Sequence, residues 1–181
     1  MSETGRYFKA SMDSRLRSLT WLFSAVVVGA SLAAALPMTA MKGDYPDVCS
    51  AAAFNFGGWA ILIVAAALLW SCWALAPKGY IVEPGLVTVD RPLMPVRIPL
   101  RPGTVVEAAG PGLLDGSLRT MGNGGLFGYY GRFWKKGVGS YLLYATRSDR
   151  LVLVEDGKKY FLTPDEPEFF IEEVRRCLPA A

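Results

Sequence analysis

The sequence predicts an α+β protein in which a two-helix transmembrane hairpin precedes a domain of antiparallel β-strands closed by one C-terminal α-helix. Three observations predict it. Ser18 to Met41 and Val48 to Pro77 are runs of 24 and 30 residues without a charge in a chain of 181. Between Tyr80 and Thr163, short apolar or alternating stretches are separated by turn residues, the signature of strands. After Asp165 the period lengthens, with Phe170, Val174 and Leu178 four apart on one helical face. A composition of 52% hydrophobic and 19% charged residues excludes a disordered chain. The absence of histidine and the scatter of three cysteines remove His-based catalysis and the usual metal sites.

Residues 1–18 form a cytoplasmic N-terminal segment, 19–77 the membrane hairpin and 78–181 a cytoplasmic domain. A hydrocarbon core about 30 Å thick takes roughly 20 helical residues to cross. Spans at about 19–40 and 57–76 supply them, with Trp21, Phe23, Trp59, Trp70 and Trp73 placed as an interfacial aromatic belt. Arg6, Lys9, Arg15 and Arg17 precede the first span, whereas the loop between spans holds only Lys42 against Asp44 and Asp47. That asymmetry places the N-terminus in the cytoplasm, and the second span returns the chain there, where Lys78, Arg91, Arg97 and Arg101 follow. The topology expected is multi-pass, with both termini cytoplasmic. A cleavable signal peptide is the competing account of the first span, but its apolar stretch is long for that. Even then the second span would lead inward. Ala25, Gly29 and Ala33 recur every four residues, which suits close helix packing, either within the hairpin or with a second copy or partner subunit. Cys49, Cys72 and Cys177 are too scattered to pair within the chain or to share a metal.

The strands expected in the domain are Tyr80 to Val82, Leu86 to Asp90, Val96 to Leu100, Val105 to Ala109, Leu118 to Met121, Tyr141 to Thr146, Leu151 to Val154 and Tyr160 to Thr163. Glu83-Pro84-Gly85 reads as a tight turn, and Asp156-Gly157 as a two-residue hairpin loop. Asp165 is placed to cap the final helix, with Pro167 in its first turn.

The stretch GNGGLFGYYGRFW (Gly122 to Trp134), followed by YLLYATRSDRLVLVEDGKKYFLTPDEPEFF (Tyr141 to Phe170), resembles the bacterial pleckstrin-homology-like (PH-like) domains found behind one or two membrane spans. Those families carry a glycine- and aromatic-rich segment ahead of a Y-A-T strand, and end on a helix introduced by an sPddPeeF-like sequence. The match is good over about the last sixty residues and only general over Tyr80 to Gly116. The resemblance implies a PH-like antiparallel β-barrel capped by the C-terminal helix and a membrane-linked role, with the plasma (inner) membrane of a bacterium as the localisation expected. It implies no catalytic residue.

Ten of the thirty residues from Gly110 to Gly139 are glycine, yet Gly122 to Gly128 does not match G-x-G-x-x-G and no Gly-Lys-Ser/Thr follows. A nucleotide loop is therefore not expected, nor any cofactor or metal. The structural reading of these glycines is close chain approach around the aromatic residues. The functional reading is an interaction segment: Phe127, Tyr129, Tyr130, Phe133 and Trp134 beside Arg132, Lys135 and Lys136. Such a segment suits a protein groove, and it equally suits an anionic lipid surface. Residues 78–181 hold 14 Lys and Arg against 12 Asp and Glu, too nearly neutral to favour nucleic acid. Ser140, Lys158, Lys159, Asp149 and Asp156 form no recognised catalytic arrangement. The function expected is non-catalytic binding or scaffolding, with a protein partner or homo-oligomer as the first reading, anionic lipid as the alternative, and an enzyme or a transporter subunit as the third.

Overall fold

The computed structural model describes residues 5–40, 48–110 and 112–179, with side chains over 5–36, 56–110 and 112–179. Lys42, Asp44, Asp47 and the side chain of Cys49 lie outside the described residues. A short strand, β1 (Arg6–Lys9), leads into the helices α1 (Ser14–Ala40) and α2 (Val48–Ala74). Each helix has 27 residues, about 40 Å at 1.5 Å per residue. Ser14–Leu36 and Phe56–Ala74 are long and apolar enough to cross a membrane. Asp13 starts α1, its Oδ1 accepting the Leu16 N–H at 2.6 Å.

The two helices pack through the α1 face that carries Leu16, Thr20, Ser24, Val27, Ser31 and Ala35, all buried or half-buried. Ala25, Gly29 and Ala33 are instead exposed, and a Cβ built on Gly29 meets nothing within 4 Å. The expectation that these small residues close the hairpin is thus corrected: the buried face of α1 lies one step around the helix, from Leu16 to Ala35.

Nine further strands and one helix follow: β2 (Gly79–Glu83), β3 (Leu86–Asp90), β4 (Val96–Pro99), β5 (Val105–Ala108), β6 (Leu118–Gly124), β7 (Tyr129–Lys135), β8 (Gly139–Ala145), β9 (Val152–Glu155), β10 (Lys159–Leu162) and α3 (Pro167–Arg176). They form a four-stranded sheet, β1-β2-β3-β4, and a six-stranded sheet, β5-β9-β10-β8-β7-β6. No closed barrel results. Pro99 and Pro102 supply no N–H, the chain turns at 101–104, and α3 packs against β5 and β2 instead of a strand bridging them.

Neither is the pairing wholly antiparallel. β10 inserts between β8 and β9 and runs parallel to β8, with Tyr160 opposite Leu142 and Leu162 opposite Tyr144. The Pro84-Gly85 turn joins Glu83 to Leu86 as expected, with Gly85 at φ 75. The β9–β10 loop has three residues, 156–158, because Glu155 pairs with Lys159. Gly157 takes the positive φ of 67 that the extra residue requires.

The core between the sheets is filled by α3. Phe170 and Val174 are fully buried, with the Phe8 and Tyr80 rings edge-on to Phe170 at 5.2 and 5.7 Å. Phe170→Ala would cost about 3–5 kcal/mol by the usual penalty for emptying an aromatic core site. A second cluster, Phe133, Tyr141, Leu143, Phe161 and Leu153, covers the other face of the six-stranded sheet under Leu113 and Leu114. Glu166, not Asp165, precedes the first turn of α3, and it makes no side-chain cap bond. Asp165 is drawn away because its two carboxylate oxygens accept from Ser11 N–H at 2.8 Å and Ser11 Oγ at 2.6 Å.

Candidate interaction surface

The segment 122–136 is a β-hairpin, not a loop, and its eight candidate residues separate into three places. At the tip, Asn123 Nδ2 donates to Leu126 O at 2.7 Å while its Oδ1 accepts from Leu126 N–H at 3.2 Å, closing the turn. Phe127 sits there at φ 61, packed on the main core, and its N–H donates to Thr20 Oγ1 of α1 at 3.1 Å. Tyr130 is buried, and its hydroxyl donates to the Cys72 carbonyl of α2 at 3.0 Å. Burial raises the Tyr130 pKa above its ordinary value, with the Asn123 hydrogen bond opposing. The tip therefore bolts the sheet to both apolar helices.

Phe133 and Tyr129 belong to the second core, Phe133 stacked on Tyr141 at 5.9 Å. Gly122 and Gly131 face each other across β6 and β7 at φ 121 and 124. A Cβ on Gly122 would lie 2.2 Å from the Tyr130 carbonyl oxygen, so close chain approach is what these glycines permit.

Arg132, Trp134, Lys135 and Lys136 occupy the end of the hairpin remote from the helices. Lys135 is engaged, its Nζ donating to the carbonyls of Gly112 and Leu113 at 2.7 and 3.1 Å. Arg132 and Lys136 are exposed. Trp134, 43% exposed, is the one aromatic of the five with a large open face, and it lies opposite Leu118, which is 62% exposed. Met121, opposite Arg132, is 77% exposed. Leu118 and Met121 were not among the candidates, and strict alternation would set them on opposite faces. A β-bulge between Arg119 and Met121 brings them to the same face, where Thr120 Oγ1 donates to Arg132 O at 2.9 Å.

A family model described as bacterial PH domain matches residues 78–178, more than half of the chain. The chain belongs to the bacterial PH domain family. The match runs from β2 through α3 and leaves β1 and both apolar helices outside it. Neither the curated proteins nor the solved structures contain a match to the chain.

In this bacterial PH domain, β6 is an edge of the six-stranded sheet and is exposed along nearly its whole length. Among the described residues no strand pairs with its outward N–H and C=O groups. A shallow cavity of about 280 Å³ adjoins the Trp134 face through Arg132 and is lined also by Ser140, Leu142, Glu155 and Lys158. A larger cleft of about 720 Å³ lies beside β1 and the end of α3, where the cations Arg6 and Arg176 are already paired with Glu173 at 3.4 and 3.1 Å.

Proposed function

We propose that this bacterial PH domain protein is a membrane-anchored, non-catalytic binding or scaffolding element. It engages a protein partner, or a second copy of itself, at the cytoplasmic face of a bacterial inner membrane. The observation that carries the reading is the apolar face of Leu118 and Met121 on the edge strand β6 and Trp134 on the adjoining β7. Contiguous exposed apolar side chains mark interaction surfaces, and a free strand edge accepts an added strand through its backbone. The lysine and arginine asymmetry around the two helices supports the orientation with both termini in the cytoplasm.

The test is purification of the full chain from native membranes under stringent washing, beside a Leu118→Glu/Met121→Glu variant. A stoichiometric protein or a homo-oligomer retained by the parent and lost by the variant is expected. A monomer without a partner in the parent would end this reading. Anionic-lipid recognition by residues 122–136 draws on Arg132 and Lys136, the exposed cations of that segment. Its signature is salt-sensitive binding to anionic vesicles that weakens in Arg132→Ala/Lys136→Ala. Lys135 is left intact in that variant because its substitution would also release the 112–113 carbonyls.

A further inference from the structure

The loop 91–95, Arg-Pro-Leu-Met-Pro, joins β3 to β4 beside the end of α2. Leu93 N–H donates to the carbonyl of Ala74, the last residue of that helix, at 2.9 Å. The Arg91 guanidinium makes a long contact to Leu75 O at 3.5 Å and, through Nε, donates to Met94 O at 3.0 Å; Nη2 donates to the same oxygen. A cation at a helix C-terminus is electrostatically favoured there. Met94 is held at φ 57, a left-handed conformation that a residue with a side chain seldom adopts. The loop is thus fastened at one height relative to α2, with prolines on both sides of the pair 93–94.

The result is two neighbouring apolar side chains in the open, Leu93 at 41% and Met94 at 66%. Their height is that of the cytoplasmic end of the apolar span Phe56–Ala74, where Trp73 is also exposed and Lys78 Nζ lies 4.5 Å over the Trp73 ring. Tryptophan followed by lysine is the ordering expected across a membrane interface. We propose that the loop 91–95 inserts Leu93 and Met94 into the interfacial layer of the bilayer, a third and shallow membrane contact besides the two helices. The occupant is lipid because the loop is hydrogen-bonded to the end of a helix whose next turn belongs to an apolar segment long enough to cross a membrane. The inference rests on the membrane-anchored reading above.

The test uses the full chain with its three cysteines replaced and single cysteines introduced as Met94→Cys, Leu93→Cys, Val64→Cys in mid-α2 or Lys136→Cys at the remote end. Each is labelled with bimane and reconstituted in phosphatidylcholine/phosphatidylglycerol vesicles whose acyl chains carry a shallow or a deep nitroxide. The labels at 93 and 94 are expected to lose most of their fluorescence to the shallow nitroxide, that at 64 to the deep one and that at 136 to neither. Quenching at 64 together with emission at 93 and 94 as bright as at 136 would overturn the inserted loop while leaving the spans standing. No quenching at 64 would remove the anchored reading and the inserted loop with it.

Discussion

Tyr80 joins three parts of the fold through one hydroxyl, donating to Tyr144 O at 2.7 Å and accepting from Thr163 N–H at 3.0 Å. Complete burial pushes its pKa up to about 12 from an ordinary 10.0, the Thr163 hydrogen bond pulling the other way. The unfolded chain therefore loses this proton first as pH rises. The stabilisation is intact below pH 10, drains above it and is gone near 12. Tyr80→Phe is expected to cost about 1–3 kcal/mol at neutral pH, because the Tyr144 carbonyl and the Thr163 N–H lose a buried partner. It should also make the alkaline fall shallower than in the parent. Chemical unfolding of the full chain in detergent at stepped pH reads both effects. The other tyrosines with raised values act in both proteins, so the difference between the two curves isolates residue 80. Equal alkaline slopes would remove Tyr80 as a source of that fall.

At the scale of elements, the domain begins before residue 78. β1 pairs with β2 from Arg6–Val82 to Lys9–Gly79, Ala10 N–H donates to Lys78 O at 3.1 Å, and Phe8 covers Phe170. These two strands are a β-hairpin into whose turn the two apolar helices have been inserted. A fragment of residues 78–181 alone leaves the β2 edge bare and Phe170 uncovered, a loss of about 3–5 kcal/mol if it resembles emptying an aromatic site. Residues 5–12 joined to residue 77 by a short Gly/Ser linker should restore it. The joined fragment is expected to melt well above the bare one by circular dichroism. Equal melting temperatures would show that β1 adds nothing.

The same elements show what the sequence made legible. The apolar runs, the eight short strands and the amphipathic face of α3 were readable because each is a local periodicity of burial. β1 was not, since Arg6-Tyr-Phe-Lys9 is too short for a period and its burial depends on a partner 70 or more residues away. β7 was hidden by Gly131, which breaks its alternation for the sake of the Gly122 approach. The candidate interaction segment was legible as a composition of aromatic and basic residues. Its division was not: four of its five aromatics turn inward, and the bulge at Thr120 recruits Leu118 and Met121 in their place.

At the scale of the whole molecule, the sheets are not carried on a loose tether. Residues 9–13 are held by Asp165 and by Thr146, whose Oγ1 donates to Ser11 O at 3.0 Å. Lys78 N–H donates to Asp90 O at 2.9 Å, and the hairpin tip reaches Thr20 of α1 and Cys72 of α2. Contacts on both helices from one hairpin tip set the orientation of the domain, and so the direction in which the Leu118, Met121 and Trp134 face looks. Thr20→Val with Tyr130→Phe removes the two bridging hydrogen bonds while conserving shape. At about 0.5–1.5 kcal/mol each, the loss would free the tip to open on the order of tenfold more often. Hydrogen exchange of the full chain in lipid nanodiscs should then quicken at residues 125–128 and stay unchanged in β8, β9 and β10. Faster exchange throughout the sheets would mean that the pair supports folding and not docking. No change at the tip would mean that the domain and the helices are held together by the chain connections at 9–13 and 74–78 and by the 91–95 loop on Ala74 and Leu75.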